Sequence, residues 1–345
     1  MARTGIRRFL NLASLTAFLA ASPALAWNGH GHRTITRLAL DGLQPDSPSW
    51  LRDPTVIARI AEQSTEPDHW RGTRRPSINH DANTEHYIDV EDLDQFGLSL
   101  KTLPRLRYEY VKAMVTAKLQ HPERILPYDP AKDPDHAQEW PGFLPYAVEE
   151  HFDKLRASFH TLRVLETIND PQRQAALQQA RENVIYEMGI LSHLVGDAAQ
   201  PLHTTRHHHG WVGPNPNAYT TDNGFHAYID GKILDIHGFT YDTLKGPLTP
   251  EQRVDASNPF AAATDEIQRS FDRVEPLYTL QRDRKLEGEA GREFIRACLI
   301  DAAATLAAMY NSAWAASKPS DAEIATFIRY EPAKAAPTPA AAPAR

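Results

Sequence analysis

The sequence holds one cysteine, Cys298, in 345 residues, so no disulfide can close within the chain and a disulfide-built scaffold is excluded. It has no excess of positive charge: 37 Lys and Arg face 44 Asp and Glu, a formal net charge of −7. That balance disfavours a basic surface that coats nucleic acid, so any anionic substrate must be attracted locally. No run of about 18 uninterrupted apolar residues occurs, so no segment reads as a stable membrane span. Internal repeats are absent and alternating, strand-like runs are scarce. What is present, 41% hydrophobic and 23% charged residues, is enough to bury a sizeable core.

The two ends differ in kind from the rest. Arg3, Arg7 and Arg8 precede a short apolar stretch from Phe9 to Ala21, and Ala24-Leu25-Ala26 forms a small-residue cleavage pattern. We expect residues 1–26 to be a signal peptide and the mature, secreted or periplasmic chain to begin at Trp27. Its removal takes away three basic residues and no acidic ones, moving the formal charge from −7 to −10. Residues 331–345 are rich in Pro and Ala and read as a disordered tail. Between them, residues 27–330 show no linker and read as one domain, expected to be monomeric.

Helical periodicity dominates that domain. It predicts helices over His32–Leu43, Pro54–Glu62, Leu103–Leu119, Ala147–Ile168, Pro171–Ala199, Pro259–Leu280 and Glu287–Ala315, joined by long polar loops at Arg71–Glu85, Gln120–Trp140 and Thr204–Asn223. The segment from Pro171 is the informative one. Leu177, Ala180, Val184, Met188, Leu191 and Val195 make one apolar stripe, and from Val184 to Gly196 the only charged residue is Glu187. A helix apolar nearly all round is a buried one. His193 and Asp197, one turn apart, then point inward, where an uncompensated carboxylate is costly and a metal ion would satisfy both.

Three segments repeat that pattern. His193, Asp197 and His203 fall in LSHLVGDAAQPLH, where Pro201 ends the helix and lets His203 turn back. His226 and Asp230 fall in FHAYID, and Asp68 and His86 lie in EPDHWR and TEHYIDV. With His32 the set is five His and three Asp, a donor set suited to zinc, with manganese or iron also open. The run His207–His209 reads as a solvated loop, and His151 and His160 as solvent-facing. Trp211, Tyr219 and Phe225 read either as a substrate wall or as a loop anchor.

A Trp-Asn-Gly-His-Gly-His start at Trp27, followed far downstream by HLVGDAAQPLH and then His-x3-Asp, resembles the S1/P1 nuclease and zinc-dependent phospholipase C superfamily. The resemblance implies an all-α, mainly helical domain with three zinc ions in a cleft. It assigns Asp68, His86, His193 and Asp197 to one zinc and His203, His226 and Asp230 to a second. The third would take the amine and carbonyl of Trp27, His32 and a bridging Asp197. It further implies that Asp68 aligns or deprotonates the attacking water, that Arg71 meets phosphate, and that Tyr87 lines a nucleobase pocket.

An α-amine has a pKa near 7.7–8.0, so a divalent ion displaces its proton at small cost near neutrality. Metal pairs also acidify a bridging water and clamp both oxygens of a phosphoryl transfer. The expectation is a phosphodiester hydrolase acting on single-stranded nucleic acid or nucleotides. A phospholipase C is the alternative, because TTRHHHGWVGPNPNAYTTDNGF and Ile229 depart from the nuclease pattern. A non-catalytic zinc-binding protein is the alternative of another class.

Overall fold

The segments whose apolar residues recur every three or four positions form helices, and each turns its apolar stripe towards its neighbours. The computed structural model describes residues 27–73, 75–246 and 254–331. The expected signal segment, Arg74 and the tail beyond Glu331 lie outside the described residues. In chain order the helices are α1 (Gly29–Asp41), α2 (Pro54–Gln63), α3 (Glu66–Arg71), α4 (Pro76–Glu85), α5 (Arg107–Gln120), α6 (Leu144–Ile168) and α7 (Gln174–Ala198). There follow α8 (Phe225–Ala227), a π turn at Tyr228–Lys232, α9 (Ile233–His237), α10 (Tyr241–Leu244), α11 (Pro259–Phe271), α12 (Val274–Arg282), α13 (Glu289–Ala315) and α14 (Asp321–Tyr330). Among the described residues, strand pairing is limited to one antiparallel bridge between Ile88 and Gly142, so the fold is all-α.

The helix α7 forms the centre. α6 packs along it, and α2, α13, α1 and α11 close around it. Every residue from Met188 to Ala198 is buried, as the near-absence of charge there predicts. Such a helix needs small residues where its neighbours cross. A Cβ on Gly189 would lie 2.3 Å from Cβ of Gln63, and one on Gly196 would lie 2.9 Å from Nδ1 of His32. Tyr310 of α13 donates its hydroxyl to the Met188 carbonyl at 2.6 Å, tying the longest helix to the middle of α7.

Local signals set the helix ends. Asp53 accepts from the Thr55 amide ahead of Pro54 and starts α2. Asn169, at φ 49°, stops α6, and a reciprocal Ser320–Glu323 capping box starts α14.

The structure departs from the expected elements in three places. Arg71–Glu85 is not a loop, because Pro76 opens α4; this helix is polar nearly all round, burying only Ala82 and Thr84, so it carries no apolar period. Pro259–Leu280 is broken at Asp272 and Arg273, yet Phe260, Ile267, Val274 and Leu277 keep helical spacing across the break and conceal it. His151 does not face solvent: it is buried between α6 and α7, with Nδ1 2.7 Å from Glu187.

Replacing Gly189 with Ala forces α2 and α7 apart. Gly189→Ala is expected to lose about 1–3 kcal/mol of unfolding free energy, read from urea denaturation. An unchanged midpoint would contradict the close crossing.

Candidate metal centre

The expected ligand side chains come from six pieces of backbone that meet at the C-terminal part of α7. α1 carries His32, α3 carries Asp68 and the cap of α4 carries His86. α7 supplies His193 and Asp197, the tight turn that Pro201 opens supplies His203, and α8 with its π turn supplies His226 and Asp230. All eight side chains are between 0% and 8% exposed. They gather into three groups able to hold a metal ion: His32–His193–Asp197, Asp68–His86–His193 and His203–His226–Asp230.

The segment after His86 is held on both sides. Ile88 and Val90 donate their amides to the carbonyls of His203 and Thr204, while Asp89 donates to Pro141. Gly142, at φ 104°, allows the bridge to Ile88, since a Cβ there would lie 2.1 Å from the Tyr87 carbonyl. His86 and His203 are thereby fixed relative to each other.

Second contacts orient the rings. His193 Nδ1 lies 2.8 Å from the Ser64 carbonyl and His203 Nδ1 lies 2.6 Å from the His86 carbonyl; His86 Nδ1 bonds the Ala82 carbonyl. Each Nδ1 must therefore carry its proton, which leaves the Nε2 lone pair aimed inward, as for metal-binding histidines. Gln200 donates to Asp230 Oδ1 at 2.6 Å and leaves the other oxygen free. The inward atoms have no hydrogen-bond partner among the described residues: Nε2 of His32, His86, His193, His203 and His226, both oxygens of Asp197, and Oδ2 of Asp230. A cluster of buried polar atoms without partners is too costly to stand alone, and its members are all Lewis bases.

Spacing agrees with shared ligation. His32 Nε2 to Asp197 Oδ1 is 3.5 Å, His193 Nε2 to Asp197 Oδ2 is 3.3 Å, His86 Nε2 to Asp68 Oδ1 is 3.6 Å, and His226 Nε2 to Asp230 Oδ2 is 3.3 Å. Two donors at about 2.0–2.1 Å from one tetrahedral ion stand about 3.3 Å apart. The His32 and His193 rings stack at 4.0 Å, which two imidazolium ions would resist. His193 is shared by two of the groups, and Asp197, a member of one, lies 3.9 Å from Nδ1 of His203 in another.

Burial governs the protonation states. It pushes His86 and His203 down to about 4, and His32 and His226 well below the ordinary imidazole value, so these rings are neutral donors at neutral pH. For His193, burial pushes down but the Asp197 carboxylate outweighs it and raises the net value. Burial would likewise raise Asp68, but the His86 and His193 imidazoles beside it hold it well below the carboxylate range. Asp230 is driven well above that range by burial.

A cavity of about 780 Å³ opens against this cluster, with His86, His203 and His226 in its wall. Arg71 lines it too, held by Asn83 Oδ1 at 2.8 Å and Asp68 Oδ1 at 3.2 Å, so it is not a solvated loop arginine. Tyr87 presents its ring to the cavity while its hydroxyl donates to the Ala137 and Trp140 carbonyls. Trp27 is fully buried, and the adjacent Asn28 amide donates to the Asp230 carbonyl at 2.9 Å. His30 points away, bonded to the Phe239 carbonyl.

The His207–His209 run is not wholly solvated. His207 is buried and stacks on Trp211 at 3.9 Å, and Trp211 and Phe225 pack on Tyr278, so these aromatics anchor the loop. Gln200 and Asn83, which position Asp230 and Arg71, escaped the sequence reading. Gln200 stands inside the DAAQPLH run that carries the ligands, whereas Asn83 gives no sequence signal. The chain matches no protein-family model and no curated protein.

His86 and His203 bind protons more weakly folded than unfolded, where the ordinary value is 6.5. Between pH 6.5 and about 4 the unfolded state therefore takes up more protons, and stability falls as pH falls. Chelator-treated protein should show a urea midpoint that drops across that window; a midpoint flat with pH would contradict neutral buried rings.

Proposed function

We propose that the chain is an exported, zinc-dependent phosphodiester hydrolase of the S1/P1 nuclease type. The observation that carries this reading is the convergence of partnerless imidazole and carboxylate atoms beside Arg71 at one end of a cavity. Asp68, His86, His193 and Asp197 would hold one zinc, and His203, His226 and Asp230 a second. His32, Asp197 and the terminal amine and carbonyl of Trp27 would hold a third. Zinc held there would supply Lewis acidity, lowering the pKa of a water and neutralising charge at a phosphoryl group.

The residues divide the remaining tasks. Arg71 is preset by Asn83 and Asp68 to donate to a phosphate oxygen. Asp68 stays ionised, which suits it to orienting the attacking water better than to keeping its proton. Cleavage before Trp27 creates the amine ligand, and the Asn28–Asp230 bond keeps that end beside the site. The Tyr87 ring offers a stacking face to a base, which favours single-stranded nucleic acid or nucleotides as substrate.

A second reading, a phospholipase C, is favoured by the rest of the wall. Asp89, Asp92, Asp129 and Asp133 share it with Phe96, Tyr128 and Trp140. The same wall also carries Lys118, Lys132 and Arg206, so what favours this reading is the set of aromatic faces and carboxylates that an amine-bearing head group would meet.

Arg71→Ala should lower phosphodiester hydrolysis about 100-fold with metal content unchanged. Asp197→Asn should lose more metal than any other single ligand substitution, because that carboxylate serves two ions. Assays on denatured DNA, RNA and phosphatidylcholine separate the substrates. Zinc binding without hydrolysis of any phosphodiester would reject an enzyme and leave a zinc-binding protein.

A further inference from the structure

The outer face of α5 carries a line of apolar side chains that nothing in the described chain covers. Tyr108, Val111, Val115 and Leu119, spaced three, four and four residues apart, are 65%, 39%, 40% and 78% exposed. That spacing puts them on one face. The inner face already anchors the helix through buried Tyr110 and Met114, so the outer stripe adds nothing to the core. A continuous exposed apolar stripe, unlike scattered single residues, marks an interaction surface.

Charge and position narrow the partner. From Lys101 to Arg124 the chain has six Lys or Arg against two Glu, within a protein of net charge −7. Arg105, Arg107, Lys118 and Arg124 are engaged by Glu149, Glu85, Glu139 and Asp94. Lys101 and Lys112 make no ion pair among the described residues, and Lys112 flanks the stripe on the Leu119 side. The C-terminal end of α5 meets the cavity. Lys118 lines it, and the segment that follows adds Ile125 and Leu126, the latter 48% exposed.

We propose that this face of α5 docks the protein onto a phospholipid surface, with the four apolar side chains in the acyl boundary and Lys101 and Lys112 at the phosphates. Helices that lie in a membrane interface combine an apolar face with lysines whose stems reach back to the head groups. A second copy of the chain fits less well, since four side chains fall far short of the roughly 20–30 residues a side of a stable interface. Docked this way, the cavity wall at Lys118, Ile125 and Leu126 lies next to the contact.

The test is co-sedimentation of the mature chain with vesicles of phosphatidylcholine and phosphatidylserine. It reads binding and not product, so its failure is separate from failure of the hydrolase reading. The wild type should partition to the vesicles, and Leu119→Gln should bind about tenfold more weakly. An environment-sensitive dye on Val115→Cys should shift to the blue on vesicle addition. Labelling is selective there because Cys298 is buried and its thiol is pushed up to about 12. Equal partition of wild type and Leu119→Gln, or an unshifted dye, would overturn the proposal. So would a wild-type dimer that Leu119→Gln splits, which would make the stripe an interface between copies.

Discussion

Burying imidazoles and carboxylates without partners is the constraint on which the rest of the structure depends. A charged or polar group taken out of water must be compensated, and here eight side chains are taken out of water together around α7. Backbone carbonyls satisfy Nδ1 of His86, His193 and His203, and Gln200 satisfies Oδ1 of Asp230, while both ring nitrogens of His32 and His226 and the inward atoms of the others have no partner among the described residues. This donor set fits divalent ions, whose charge would compensate the arrangement.

The helical scaffold serves that requirement. α7 can be buried over its whole C-terminal half because Gly189 and Gly196 let α2 and α1 cross it closely, and the second crossing is the one that brings His32 to Asp197. The bridge at Gly142 and the turn at Pro201 then lock His86 against His203. A change far from the ligands, at either glycine, would therefore be felt as a displaced ligand and not only as a looser core.

The helices with an apolar period were legible in the sequence, and so were the runs whose His and Asp side chains gather into buried groups, because an imidazole or carboxylate on an apolar helix needs a partner. α4 was not legible, since a polar helix over a cleft has no such period. Nor was the break between α11 and α12, where the apolar spacing runs on across it. The backbone carbonyls of Ser64, Ala82 and His86 that fix the rings belong to no residue type, so no motif could have named them. His151 misled because the acid that buries it, Glu187, is 36 residues away in the chain.

The most direct measurement is the zinc-to-protein ratio, by elemental analysis, of the chain beginning at Trp27 and of the same chain carrying one extra residue ahead of it. Three ions per chain in the first form and two in the second is the expected result. A chain that stays folded with its histidines buried and retains no metal after dialysis against trace zinc would contradict it.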